Sequence, residues 1–403
     1  MNNVVIIGSG QAGGQCAVSL RNSEFKGSIT IIGEENHPPY QRPPLSKGFL
    51  SGQVGLERVY LKKHEFYTDN EISLKLKVPA SSIDSEEKII LLENGEGIPY
   101  ENLVLATGSR VRKLNVDGCS LKNIGYLRDI DDVENLKKGF TKNAKLVIVG
   151  AGYIGLEVAA VASQLELDVT VIEMADRVMN RTVDPLISSY YQELHERYGV
   201  NILLNSALQR FEGNNSVEYV ICEDGKKLKA DLVVIGAGII PNTEIGESAG
   251  IKCDNGILVN EYCETSIPNI FACGDCTNHP NALLSKRLRL ESVHNALEQA
   301  KTVAHSILGN KIPYNQIPWF WSDQYDHKLQ IVGLSGDHDE VVIRGSQENK
   351  VFTLFYLKNG ELIACNAVNN PKEFLICKKL VANQLKISSD ELKNPSLILR
   401  EVL

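Results

Sequence analysis

The sequence predicts an α/β protein: two Rossmann-like, three-layer nucleotide-binding domains followed by a small α+β C-terminal cap domain. Three observations carry this prediction. A G-x-G-x-x-G fingerprint occurs twice, as Gly8-Ser9-Gly10-Gln11-Ala12-Gly13 and as Gly150-Ala151-Gly152-Tyr153-Ile154-Gly155. Each copy follows a β-branched apolar run and opens a stretch of helical spacing. Each is followed by a second apolar run ending in an acid, Glu34 in one case and Glu173 in the other. The first glycine permits the tight turn, and the second lets backbone approach a pyrophosphate. The third lets the helix pack on the strand, so that its amide-rich N-terminus faces the anion. The acid accepts from a ribose hydroxyl. One such motif is weak evidence; strand, glycines, helix, strand and acid in order, twice, specify two dinucleotide sites. Two dinucleotides in one chain imply a relay between a tightly held flavin and a diffusible nicotinamide.

In chain order, the first strand–helix–strand unit runs through Glu35. The turn-rich stretch His37-Pro38-Pro39-Tyr40-Gln41-Arg42-Pro43-Pro44-Leu45-Ser46-Lys47 follows. Its four prolines bar a regular helix and make a rigid loop carrying Arg42 and Lys47. Strands are predicted near 72–78 and 88–92, and a buried strand over 100–108 ends in Ala106-Thr107-Gly108. The second nucleotide unit starts near Ser109. Its closing run, 232–238, mirrors 103–108 and ends at Gly238, so the two halves read as repeats of one plan. After Pro241 the chain rejoins the first domain with a strand ending in Cys273-Gly274-Asp275 and a helix over 291–300. From Tyr314 onward the texture becomes alternating: strands near 329–332, 341–344, 351–357 and 362–367, then a helix over 371–382. The predicted domains are therefore 1–108 with 239–313, then 109–238, then 314–403.

Composition bounds the remaining possibilities. A chain of 403 residues with 43% hydrophobic and 23% charged residues is an ordinary globular protein of two or three domains. No apolar run approaches the ~18 residues of a membrane span. The N-terminal apolar run reads as the first strand, not a secretory leader, and a cytoplasmic location is expected. Nine cysteines, an odd and scattered set, fit a reducing compartment. A net charge of −8 argues against bulk nucleic-acid binding. The eight histidines are dispersed, so no metal is expected. Cys273 and Cys276 form a C-x-x-C without a second pair, which weakens both a redox and a zinc reading.

Several longer segments follow one another across essentially the whole chain. They are Pro39-Tyr40-Gln41-Arg42-Pro43-Pro44-Leu45-Ser46-Lys47, Ala106-Thr107-Gly108, Gly152-Tyr153-Ile154-Gly155-Leu156-Glu157, Cys273-Gly274-Asp275 and Pro318-Trp319-Phe320-Trp321-Ser322-Asp323-Gln324-Tyr325. In this the sequence resembles the FAD-dependent NADH:ferredoxin reductases of the putidaredoxin reductase and oxygenase-coupled type, in the glutathione-reductase structural group. The resemblance implies FAD as cofactor, NADH as reductant and a small [2Fe-2S] ferredoxin as acceptor. It makes 1–108 with 239–313 the FAD-binding domain and 109–238 the NAD-binding domain.

The resemblance also implies roles. Gly8, Gly10 and Gly13 cradle the FAD pyrophosphate, Glu34 reaches the adenosine ribose with Glu35 as a rival, and Ala80 meets adenine through its backbone. Thr107, Gly108, Gly274 and Asp275 join the FAD site, Asp275 on the ribityl chain. Val293 opens a helix whose amide and dipole face the pyrimidine end of the flavin. Arg42 and Arg128 contact FAD. Lys47 lies near flavin N5, where a cation raises electron affinity. Glu157 stands beside the nicotinamide carboxamide and is able to pair with Lys47. Tyr153 shields the flavin face, and Trp321 packs near the isoalloxazine. Gly150, Gly152, Ile154, Gly155, Glu173 and Gly238 belong to the NADH site. Glu173 occupies the place of an NADPH 2′-phosphate and so favours NADH, with Arg177 and Arg181 near enough in sequence to soften the preference.

Disulfide reductases of this architecture need a cysteine pair in the stretch from Tyr40 to Gly48, and the single-cysteine NADH peroxidases and oxidases need one cysteine there. This stretch has no cysteine; only Ser46 is near, and Cys16 lies too early, on the first helix. Electrons must therefore leave to an external acceptor. Rubredoxin reductases share nearly every motif, and monodehydroascorbate-type reductases share the Arg-Pro-Pro-Leu-Ser-Lys loop. An apoptosis-inducing-factor-like flavoprotein, which binds NADH as a conformational signal, is the non-enzymatic alternative; turnover separates it. An acidic ferredoxin meeting an acidic reductase needs a local basic patch, for which Lys286, Arg287, Arg289 and Lys301 are the candidates.

Overall fold

Unbroken apolar runs such as Val4-Val5-Ile6-Ile7 suit strands buried on both faces, and such strands form parallel sheets covered on both sides. The computed structural model of the protein describes residues 3–395 and 399–402. By packing, the chain divides into two units. One is Met1–Gln41, Leu56–Arg110 and Ile240–Pro318; the other is Arg42–Gly55, Val111–Ile239 and Trp319–Leu403.

In the first unit, strand Asn3–Ile7 is the centre of a five-stranded parallel sheet. Ser28–Ile32 and Ile72–Lys75 flank it on one side, Asn102–Leu105 and Ile270–Ala272 on the other. Val4 and Ile6 face one core, shared with Cys16 and Leu20 of helix Gln11–Asn22 and with Ala296, Ala300 and Val303 of helix Val293–Ile307. Val5 and Ile7 face another core, closed by Ile83, Ile90, Leu92 and Ile98 of a three-stranded antiparallel sheet. Helices, parallel sheet and antiparallel sheet make the predicted three layers.

The second unit repeats the plan. Strand Lys145–Val149 is central, with Asp168–Ile172 and Asn201–Leu203 on one side and Leu232–Ile235 and Ile124–Tyr126 on the other, all parallel. Leu208–Glu212, Tyr219–Cys222 and Lys227–Lys229 form its antiparallel layer. The repeats differ at one edge. The outermost strand comes from late in the chain in the first sheet and from early in the segment in the second.

The C-terminal residues of this unit form a five-stranded antiparallel sheet in the order Trp319–Gln324, His327–Gly333, Glu361–Val368, Val351–Lys358, Glu340–Ser346. Helix Pro371–Ala382 packs on it. The proline-rich loop forms no regular helix, as its four prolines require. It contains a single 3-10 turn, Pro43–Ser46. Proline is tolerated at the first positions of a helical turn, where its missing amide would have no partner anyway. No helix among the described residues is long and apolar enough to cross a membrane.

Candidate active site

The two glycine loops share one geometry. Gly8 has φ +119°, and a Cβ there would fall 2.0 Å from the carbonyl oxygen of Ala106. A Cβ on Gly13 would fall 2.0 Å from the carbonyl oxygen of Gly8. These two glycines are required by strand and helix packing. Gly10 is different: a Cβ there would meet nothing within 4 Å. The second loop repeats this, with closed contacts at Gly150 (2.6 Å) and Gly155 (2.1 Å) and open space at Gly152. Gly10 and Gly152 are the N-caps of helices Gln11–Asn22 and Tyr153–Gln164, and neither helix start receives a side-chain cap. Unsatisfied amides facing a bare glycine fit the pyrophosphate of a dinucleotide at each loop.

Around the first loop, Glu34 is exposed and Glu35 accepts from the Tyr40 hydroxyl at 2.6 Å. Asp275 follows strand Ile270–Ala272 and accepts from Ser109 Oγ at 2.9 Å. Its turn is fixed by Gln299, a buried side chain whose Oε1 accepts from the Gly274 amide at 2.7 Å and from Thr277 Oγ1 at 2.8 Å. Thr107 and Asn242 exchange two hydrogen bonds, Thr107 Oγ1 to the Asn242 carbonyl and Asn242 Nδ2 to the Thr107 carbonyl. Ala80 opens strand Ala80–Asp84, and Val293 is the first residue of helix Val293–Ile307, capped by Ser292. Cys273 and Cys276 are free thiols, fully buried, and burial pushes both pKa values up. A C-x-x-C of protonated thiols is a poor redox pair.

In the second unit, the Glu173 carboxylate is pinned beside the glycine loop. Its Oε2 accepts from the Ala151 amide at 2.7 Å and its Oε1 from the Ala175 amide at 2.9 Å. Arg177 does not face it as a free cation: its guanidinium donates to the carbonyls of Val183 and Asn180 and to Ser188 Oγ. These partners are all neutral, so Arg177 keeps its charge while its donors are engaged; Arg181 Nη2 lies 3.7 Å from where a Gly238 Cβ would be. Ile154 is 44% exposed at the start of its helix. Tyr153 packs on Phe320 with ring centroids 4.6 Å apart, and burial raises its pKa. Trp321 lies against Trp319 at 5.5 Å. Arg42 Nη1 donates to the Arg128 carbonyl at 2.6 Å.

A dense polar cluster surrounds Glu157, which is 2% exposed on helix Tyr153–Gln164. Its Oε2 accepts from Ser46 Oγ at 2.5 Å and from Lys47 Nζ at 2.6 Å. Its Oε1 accepts from Ser322 Oγ at 2.7 Å. The 3-10 turn presents Ser46, Lys47 follows as its C-cap, and strand Trp319–Gln324 presents Ser322. A carboxylate offers about four acceptor positions, so three donors leave one, on Oε1. The sequence motifs pair Lys47 with Glu157 but give no role to Ser46, Ser322, Gln324, His195 or Gln299. The first three lie inside motifs already quoted; His195 and Gln299 look like any polar residue on an amphipathic helix.

A duplicated dinucleotide fold, open at two glycine loops and completed by an antiparallel C-terminal sheet, defines a pyridine-nucleotide oxidoreductase. The chain belongs to the pyridine nucleotide-disulphide oxidoreductase family, whose model matches residues 2–300, and a reductase C-terminal model matches residues 319–403. It is 39% identical over 409 residues to putidaredoxin reductase of Pseudomonas putida, covering 100% of this chain and 97% of that protein. It is 39% identical over 370 residues to a rubredoxin-NAD(+) reductase of the same organism, covering 92% of this chain and 96% of that one. Among solved structures, the reductase in the covalent putidaredoxin reductase–putidaredoxin complex superimposes with a TM-score of 0.96 at 39% identity, covering 100% of this chain and 98% of that one.

Proposed function

We propose that this protein is an FAD-dependent reductase that passes electrons from NADH to a small [2Fe-2S] ferredoxin serving a monooxygenase or dioxygenase. The observation that carries the reading is the doubled glycine cradle, open at Gly10 and Gly152, in a chain whose Arg42–Gly55 segment contains no cysteine. Two dinucleotides and no thiol in that segment leave a separate carrier as the acceptor. Bound FAD supplies a two-electron acceptor that can also release electrons singly.

In the first unit, backbone around Gly8, Gly10 and Gly13 holds the FAD pyrophosphate, Glu34 the ribose and Asp275 the ribityl chain. The amide at Val293, at the start of its helix, would serve the pyrimidine end. In the second unit, backbone around Gly150, Gly152 and Gly155 holds the NADH pyrophosphate, and Glu173 accepts from the adenosine ribose. Glu157 orients the nicotinamide through the acceptor position left on Oε1, which suits the N–H of a carboxamide. Such orientation lowers a barrier by restricting the reductant to near-attack geometry. Nine free cysteines fit a reducing cytoplasm.

The test is cytochrome c reduction with NADH and a panel of [2Fe-2S] ferredoxins and rubredoxins. Turnover that depends on a [2Fe-2S] ferredoxin supports the proposal. Turnover with rubredoxins alone reassigns the carrier, as the rubredoxin-linked relative allows. Slow single reduction with no carrier-dependent turnover makes the protein an NADH sensor.

A further inference from the structure

A directed chain of buried hydrogen bonds leads away from Glu157, and it lies wholly within the second unit. Ser322 Oγ donates to Glu157 Oε1 at 2.7 Å. Gln324 Nε2 donates to Ser322 Oγ at 3.1 Å, and Gln324 Oε1 lies 2.8 Å from His195 Nε2. His195 Nδ1 lies 3.1 Å from the Tyr325 hydroxyl, which lies 3.0 Å from Ser163 Oγ. Ser322, Gln324 and His195 are each 0% exposed. Ser322 and Gln324 sit two apart on strand Trp319–Gln324, so they share a face; His195 comes from helix Pro185–Arg197.

The direction of every bond is dictated. The Glu157 carboxylate, paired with Lys47, only accepts, so Ser322 must give it the hydroxyl proton. The Ser322 oxygen then takes the Gln324 amide N–H, and the Gln324 carbonyl takes the proton on His195 Nε2. Neutral imidazole carries one N–H, so Nδ1 accepts, and the Tyr325 hydroxyl donates to it. Burial, which depresses the His195 pKa to about 4, keeps the ring neutral. A side-chain amide does not readily pass protons, so the chain orients groups; it does not conduct.

Tyr325 supplies a second observation. It begins the two-residue turn between paired Gln324 and His327 with φ +56°, a region a bulky residue rarely occupies. In that conformation its ring stacks on Tyr198 at 3.8 Å with an interplanar angle of 8°, and its hydroxyl reaches His195. A two-residue hairpin turn demands φ above zero at its first position, and the residue that meets that demand here is also the one whose hydroxyl closes the chain.

We infer that Ser322, Gln324, His195 and Tyr325 are positioning residues for nucleotide oxidation: they fix the carboxylate plane of Glu157, so that the remaining acceptor position on Oε1 meets the nicotinamide carboxamide. The inference rests on the reading of Glu157 proposed above. It predicts a defect confined to the nicotinamide arm of the substrate.

The experiment titrates the holoprotein calorimetrically with NAD+ and with ADP-ribose, which keeps the adenosine and pyrophosphate but lacks nicotinamide. Gln324→Met and His195→Phe should weaken NAD+ binding about tenfold, the worth of a well-made buried hydrogen bond, and leave ADP-ribose within about twofold. His195→Gln, whose amide can donate to Gln324 and accept from Tyr325, should restore NAD+ affinity. Tyr325→Phe removes one hydroxyl and serves if the larger changes impair folding; it should shift NAD+ affinity in the same direction by about threefold. Equal weakening of both ligands, or no weakening of either, overturns the inference. Glu157→Gln is the control. If it leaves the ratio of the two affinities unchanged, the reading of Glu157 itself fails. If it changes the ratio while the Gln324 and His195 variants do not, only the positioning chain is refuted.

Discussion

At the scale of single residues, the proposed preference for NADH rests on charge held in place. Glu173 is fixed by two backbone amides beside the second glycine loop, and Arg177 is committed to carbonyls and Ser188. An NADPH 2′-phosphate placed there meets an anion with little freedom to turn away. At a separation of about 5 Å and an effective dielectric near 20, the repulsion is about 3 kcal/mol, or roughly a hundredfold. Catalytic efficiency should therefore favour NADH by about that factor, and Glu173→Ala should narrow it; comparable efficiency with both nucleotides in the unaltered protein refutes the assignment. Glu157→Ala should slow flavin reduction in stopped flow by about 10²-fold, as loss of orientation does, while flavin content stays at the unaltered level. A wild-type reduction rate would return Glu157 to a purely structural part. The Lys47–Glu157 pair was legible in the sequence because each sits in a specific motif. The serines and the Gln324–His195 chain were not. Whether a polar side chain is buried and aimed at a carboxylate depends on three segments meeting, which no local pattern encodes.

At the scale of elements, the two glycine loops separate packing from binding. Gly155 lies where a Cβ would strike the Gly150 carbonyl at 2.1 Å, whereas Gly152 faces open space. Gly155→Ala should cost several kcal/mol, because strand and helix backbones cannot yield as a flexible side chain would. Gly152→Ala should leave the thermal midpoint nearly unchanged yet weaken NADH, since the added methyl occupies the approach of the pyrophosphate. Thermal melts of both variants beside NADH titrations check the pair; similar melting losses would deny that Gly152 faces a ligand. The nucleotide strands were readable because strands buried on both faces are apolar throughout, and acid and glycine punctuate their ends. The 3-10 turn Pro43–Ser46 was not, because proline forbids a helix interior yet permits its first positions. That turn is what carries Ser46 and Lys47 to Glu157.

At the scale of the whole molecule, titration and net charge govern behaviour. Burial lowers the pKa of His195 and of His279 from 6.5 to about 4. The folded chain resists protonation at both sites while the unfolded chain accepts it. Their contribution is therefore complete above pH 6.5 and is lost as pH falls from 6.5 towards 4, on the order of 3 kcal/mol for each. His195→Gln should remove about 1.4 kcal/mol per pH unit from that slope in urea unfolding of the protein, and an unchanged slope would mean that His195 is not held neutral. Partner choice follows from charge. At −8 overall, the protein repels an acidic ferredoxin unless positive charge is concentrated where it docks. The candidate patch is weaker than the sequence suggested. Arg289 pairs with Glu291 and Lys301 with Glu298, each at 2.6 Å, and Arg287 donates to the carbonyls of Val259 and Asn278. Charge reversal at Arg287 would thus disturb the hairpin of Thr277–Asn281 with Lys286–Leu288 and confuse the result. Removing the offsetting acids is cleaner. Glu291→Gln with Glu298→Gln should raise the ferredoxin-dependent rate at low ionic strength about two- to fivefold and steepen its salt dependence. Lys301→Glu should do the reverse. NADH-to-ferricyanide turnover should stay constant in both variants, because a small inorganic acceptor needs no protein interface. A ferredoxin rate indifferent to these changes would place the docking face elsewhere on the molecule, and parallel changes in both assays would trace the effect to folding or flavin binding.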